Sequence, residues 1–115
     1  AQTNLENTYF KDANLKDASL RNANLSGANF AEAYCKSTNF KEANLEFVNF
    51  KDADLGRSNF EGAKMRGVIF KDAILRDANF KGVDLSGVNM NGVELEGVNN
   101  LEAPSIHSYK AGLSK

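Results

Sequence analysis

A large apolar residue stands at every fifth position of this chain. It falls at Leu5, Phe10, Leu15, Leu20, Leu25, Phe30, Cys35, Phe40, Leu45, Phe50, Leu55, Phe60, Met65, Phe70, Leu75, Phe80, Leu85, Met90 and Leu95, nineteen positions in succession without a gap. Two residues earlier the chain carries a small one, as at Ala13, Ala23, Thr38, Val48, Ala63 and Val93. A helix cannot use this spacing: five residues advance about 500°, so successive large side chains drift about 140° around the axis and form no stripe. A straight strand cannot use it either, because five is odd and successive large residues would face opposite ways. Within one unit, however, Ala13 and Leu15 share a strand face, and a bend before Ala18 would turn the next unit inward again. The pattern therefore predicts short extended pieces, each ended by a turn.

The residues after each large one agree. The second of them is Gly at 27, 62, 67, 82, 87, 92 and 97, which uses seven of the nine glycines, and Asn or Asp at 7, 12, 17, 22, 52, 72 and 77. These types tolerate the positive φ that the third residue of a type II turn requires. Type II turns are expected at the Gly corners, while the Asp corners leave other turn types open.

The phrases Ala13-Asn-Leu-Lys-Asp17, Ala23-Asn-Leu-Ser-Gly27 and Ala53-Asp-Leu-Gly-Arg57 resemble the pentapeptide-repeat family, whose pattern is A(D/N)LXX, and the likeness covers about residues 3 to 99. The resemblance implies an all-β fold, a right-handed quadrilateral parallel β-helix with one pentapeptide per side and four per coil. Folded at twenty residues, the sequence gives columns that suit such a coil. Phe10, Phe30, Phe50, Phe70 and Met90 form one, and Leu20, Phe40, Phe60 and Phe80 the opposite one, with mostly Leu on the two between. About 4.75 coils at the inter-strand spacing give a rod on the order of 23 Å long. After Val98 the register breaks. Residues 1–100 are read as the β-helix and 101–115 as a C-terminal cap and tail, with a short helix or irregular cap over 104–111, where Ile106, Tyr109 and Leu113 recur at helical spacing.

Charge changes the picture little. Net charge is −1 and the pI about 5.8, so nothing draws the chain toward nucleic acid or an acidic membrane. No apolar run approaches the roughly 20 residues of a membrane span. One Cys excludes an internal disulfide and fits any compartment. A soluble, cytoplasmic protein is favoured, with an exported or organelle-lumenal mature form left open. The chain starts in register at Ala1 without Met, as a processed form or a piece of something longer would.

The surface carries what function there is. Asn before the large residue recurs at 4, 24 and 44, one coil apart, which predicts ladders of stacked amides. The corners often pair a basic residue (Lys11, Lys16, Lys41, Lys51, Lys71, Arg76) with an acidic one (Asp12, Asp17, Glu42, Asp52, Asp72, Asp77), giving neighbouring columns of opposite charge. Such columns serve as a solvated, self-neutralising surface or as a docking strip. Phe47, Ile69, Ile74 and Tyr34 take outward or turn slots where polar residues are the rule, and form the candidate interaction patch. Leu5, Tyr9 and Phe10 mark the N-terminal end, where an uncapped coil predicts cover by a twin subunit, in an end-to-end homodimer, or by a preceding segment.

No catalytic constellation, metal site or cofactor is expected. His107 is the single histidine, Cys35 fills a core slot, and the glycines lie one per turn rather than in a phosphate loop. The reading is a non-enzymatic scaffold or protein–protein interaction module on a rigid rod, with an unidentified protein partner. The alternative that the family resemblance implies is a DNA-mimicking inhibitor or protection protein of a topoisomerase (gyrase). That role needs an anionic surface, and here Lys and Arg interleave with Asp and Glu.

Overall fold

The computed structural model describes residues 2–99; the expected cap over 101–115 lies outside them. The chain winds into a four-sided parallel β-helix. Each side contributes one isolated bridge, and each bridge joins residues twenty apart, as in Asn24↔Asn44, Asn29↔Asn49, Tyr34↔Asp54 and Asn39↔Asn59. We number the sides by their inward residues: Leu5 to Leu85 on side one, Phe10 to Met90 on side two, Leu15 to Leu95 on side three, Leu20 to Phe80 on side four.

Backbone hydrogen bonds run between coils. The Leu25 N–H donates to the Asn44 carbonyl at 2.9 Å, and the Asn44 N–H donates back to the Ala23 carbonyl at 2.9 Å. A third bond closes each corner, as from the Ala28 N–H to the Leu25 carbonyl at 2.9 Å. Every corner from Asn7 to Gly97 places its second residue at positive φ, between 57° and 76°. The Asp corners adopt it as the glycines do, with Asp12, Asp17, Asp52, Asp72 and Asp77 all near 60°. So do residues that the turn chemistry did not single out: Glu32, Ser37, Glu42, Phe47 and Arg57. Inter-coil bonding there overrides side-chain preference.

The core is a stack of rings. Phe40 lies 5.2 Å over Phe60 with planes 2° apart, and Phe60 lies 5.1 Å from Phe80 at 14°. Across the square, Phe50 meets Phe60 edge-on at 6.2 Å and 74°. Stacked and edge-to-face contacts are the favoured aromatic geometries, which is why Phe suits two opposite sides of a narrow square. The small slot holds two buried hydroxyls. Thr38 Oγ1 donates to the Leu15 carbonyl at 2.9 Å and Ser58 Oγ to the Cys35 carbonyl at 2.8 Å, so neither is left unsatisfied.

The expected amide ladders form only in part. In the Asn4–Asn24–Asn44 column each Oδ1 instead accepts the backbone N–H two residues on, from Glu6, Ser26 and Glu46. This local Asx bond tightens the corner and competes with stacking. On side four Asn79 Nδ2 does reach Asn59 Oδ1 at 3.2 Å.

Two departures from regularity matter below. Leu5, Phe10, Leu15 and Leu20 are only partly buried, whereas Leu25, Phe30, Cys35 and Phe40 are closed off. Between the fourth and fifth coils, Lys64 does not bridge Asp84 and Ile69 does not bridge Asn89, although Ile74↔Glu94 and Asn79↔Asn99 pair normally. Phe60→Ala should cost about 3–5 kcal/mol, because the stacks above and below cannot collapse into the space; denaturant unfolding of both proteins measures it.

Candidate interaction surface

Four large apolar residues stand exposed among the described residues: Tyr9 (70%), Phe47 (52%), Ile69 (47%) and Tyr34 (37%). Phe47 is the least expected. It occupies the corner between sides one and two, in a column that reads Asn7, Gly27, Phe47, Gly67, Gly87. Its φ is +63°, a conformation that costs a bulky residue roughly 1–2 kcal/mol. Its ring lies against Gly67, where an added Cβ would stand 2.6 Å from Phe47 Cδ1. The Arg66 guanidinium sits 5.2 Å from the ring centroid, a cation–π contact. Ile69 follows Gly67 by two residues, so Phe47 and Ile69 border the same part of side two. On side one, next to the Phe47 corner, a cleft of about 380 Å³ opens where the fourth and fifth coils fail to pair; Glu46, Lys64, Met65, Arg66, Asp84 and Ser86 line it, and Phe47 and Ile69 do not. Hydrogen bonds from the Ser86 hydroxyl and N–H hold the Asp84 carboxyl below its usual range.

Tyr34 and Ile74 belong elsewhere. They project from side three, two coils apart with Asp54 between them, through the bridges Tyr34↔Asp54 and Asp54↔Ile74. Ile74 is half-buried. The four-residue patch thus resolves into two surfaces, Phe47 with Ile69 and Tyr34 with Ile74, which meet around the corner at Lys71 and Asp72. At the N-terminal end, Leu5 and Phe10 are half-buried core residues of the open coil, whereas Tyr9 occupies an outward slot opposite Asn29.

Side three has a notch that the spacing did not reveal. Gly56 is, among the described residues, the one glycine without positive φ, so its backbone does not demand glycine. It is buried in a column that elsewhere carries Lys16, Lys36, Arg76 and Glu96. The missing side chain leaves a hollow of about 190 Å³, walled by Lys36, Asp54, Arg57, Ile74, Arg76 and Asp77. Asp54 Oδ1 accepts the Gly56 N–H at 3.0 Å. Arg76 pairs with Glu94, whose carboxylate raises the guanidinium's pKa.

Cys35 lies inside with no exposure, and burial pushes its thiol up to about 12. The neutral thiol is neither nucleophile nor ligand at ordinary pH. Among the described residues no three His, Cys, Asp or Glu side chains are placed to hold a metal, and no helix is long and apolar enough to cross a membrane.

Two outcomes follow from these positions. An unfolded thiol ionises from about pH 9 and the folded one only near 12, so the unfolded state gains from ionisation across that window. Stability should fall between those pH values by more in the wild type than in Cys35→Ala, as unfolding curves at several pH values will show. Phe47→Gly should keep stability or raise it by up to about 1 kcal/mol, since relief of the left-handed strain offsets the lost ring contacts; thermal unfolding against wild type measures it.

No curated protein matches the chain in sequence. Among solved structures, a pentapeptide repeat protein from the Arabidopsis thaliana thylakoid lumen is 27% identical, with a TM-score of 0.66 over 82% of this chain and 68% of its own. Rfr23, a pentapeptide repeat protein from the cyanobacterium Cyanothece 51142, is 31% identical, with a TM-score of 0.51 over 84% of this chain and 61% of its own. Both share the right-handed β-helix. The pentapeptide-repeat pattern matches in eight copies over residues 1–31, 28–67, 53–92 and 68–99, and the chain belongs to the pentapeptide-repeat family.

Proposed function

We propose that this chain is a non-enzymatic interaction module, a stiff rod that presents the Phe47–Ile69 corner to a protein partner. The observation that carries the reading is Phe47 itself. A half-exposed aromatic ring is held at φ +63° in a column where glycine or asparagine would be comfortable. Strain of this kind in an exposed aromatic is what a contact residue shows, since folding alone has no use for it. Flanking glycines leave the ring standing above bare backbone, Arg66 fixes its orientation, and the adjoining cleft offers a rim of polar groups. Aromatic anchors with polar surrounds are typical of protein interfaces.

The core slots are filled by packing residues, and among the described residues no three His, Cys, Asp or Glu side chains converge on a common point. The rod offers display rather than chemistry. The interleaved charges, with net charge −1, suit a protein surface better than a mimic of DNA.

Pull-down from the source organism with wild type and with Phe47→Asp/Ile69→Asp tests the reading. Asp tolerates positive φ, so the variant keeps its fold, and circular dichroism checks this. Partner recovery should fall at least tenfold; equal recovery removes the corner from the interface.

A further inference from the structure

Side three is the one side bounded by a rail of each sign, the acidic rail unbroken over four coils and the basic one broken once, at Gly56. The residue just before its strip is Asp12, Glu32, Asp52 and Asp72 in the first four coils. The residue just after is Lys16, Lys36, Gly56 and Arg76, with Arg57 beside the glycine. Outside the acidic rail lie Lys11, Lys51 and Lys71, and outside the basic rail lie Asp17 and Asp77. Read across the side, the order is plus, minus, strip, plus, minus. Reversed, it is minus, plus, strip, minus, plus. Each rail meets the opposite rail when the strip is turned over about the rod axis; of the outer columns, Lys11 meets Asp17 and Lys71 meets Asp77, while in the third coil Lys51 meets Arg57.

We infer that side three is a self-complementary docking surface and that its partner is a second copy of this chain. The two rods lie parallel and side by side, related by a two-fold axis along their length. In that arrangement heights are preserved and left exchanges with right. Asp12 then faces Lys16, Glu32 faces Lys36, and Asp72 faces Arg76 across the interface. An antiparallel pairing would instead set each rail against its own sign, which like-charge repulsion disfavours.

Two further observations agree. The notch at Gly56 interrupts the basic rail at the height of Asp52, and Lys36, Arg57 and Arg76 wall it. An opposing Asp52 carboxylate meets there a hollow of about 190 Å³ bounded by three cations. Along the two-fold, Tyr34 and Ile74 meet their own copies and supply the apolar part of the contact. Asp54 and Glu94 also meet their own copies; the same cations, together with the Gly56 N–H, offset the repulsion at Asp54, and the paired Arg76 offsets it at Glu94.

The paired rails span four coils, about 19 Å in height, so the contact buries several hundred Å² per rod, at the low end for specific interfaces. The dimer is therefore weak and salt-sensitive. The inference goes beyond the Phe47–Ile69 reading and uses neither residue, so either can fail without the other.

Sedimentation velocity of the full chain tests it. The wild type should dimerise at about 20 mM salt and dissociate at about 500 mM. Glu32→Lys and Lys36→Glu, both on the surface, should each shift the protein to monomer. Mixing the two variants should restore a dimer, because each then meets the opposite charge at both symmetric sites, and the double variant should again dimerise alone. A wild type that stays monomeric at low salt up to about 1 mM protein would overturn the inference. So would single variants that associate like wild type, as end-to-end contact through the first coil would give, or a mixture that stays monomeric.

Discussion

A bend at every fifth residue, with the second corner residue at left-handed φ, is the constraint on which this molecule depends. It turns an odd spacing into an inward column, and it aligns each extended piece with the one twenty residues later. The N–H and C=O groups of those pieces then meet their counterparts in the next coil. No side is long enough to be stable as a strand by itself, so cohesion comes from repetition, coil upon coil. The strength of this demand shows at Glu32, Glu42, Phe47 and Arg57, which take a backbone conformation their side chains disfavour.

With the core and the corner backbone so committed, the outward slots and the corner side chains are what is free to vary. Most outward slots hold Asn, whose Oδ1 caps the corner, and those positions serve the fold. Departures from the consensus are where other demands can enter. Phe47 in a glycine column, Gly56 in a lysine column, and Tyr34 and Ile74 among polar neighbours are such departures. Each either adds a protrusion or removes one. The rod thus works as a regular frame whose exceptions carry its recognition chemistry.

Much of the frame was legible from sequence because the repeat is strict. The positions from Leu25 to Leu85 name their own column, and the Phe sides follow from folding at twenty. The corners were half-legible. Gly27 and Gly62 announce positive φ, but nothing in the side chains of Glu42 or Arg57 does, since inter-coil bonds set it. The amide ladder expected at Asn4, Asn24 and Asn44 gave way to a local bond that spacing cannot weigh against stacking. The patch was grouped from apolar residues in outward and turn slots, so Phe47 and Tyr34 were joined although they lie on different sides. The Gly56 notch escaped notice because a glycine among turn residues reads as one more turn. The failed pairing at Asp84 and Asn89 was not legible: Val83 and Val88 fill the small slots there, but Val93 and Val98 fill the same slots beside Glu94 and Asn99, which pair normally.

Hydrogen exchange by NMR tests the coil geometry most directly. In the second to fourth coils, the amides of each large residue and of the residue before it should exchange slowly, bonded to neighbouring coils, except those of Met65 and Phe70, which face the unpaired stretch at Asp84 and Asn89. The amide just after the large residue, at the exposed corner, should exchange faster. A protection pattern repeating every five residues from Ala23 to Phe80 is the expected result. Protection with a helical period, or none beyond that of an unfolded chain, would contradict the coil.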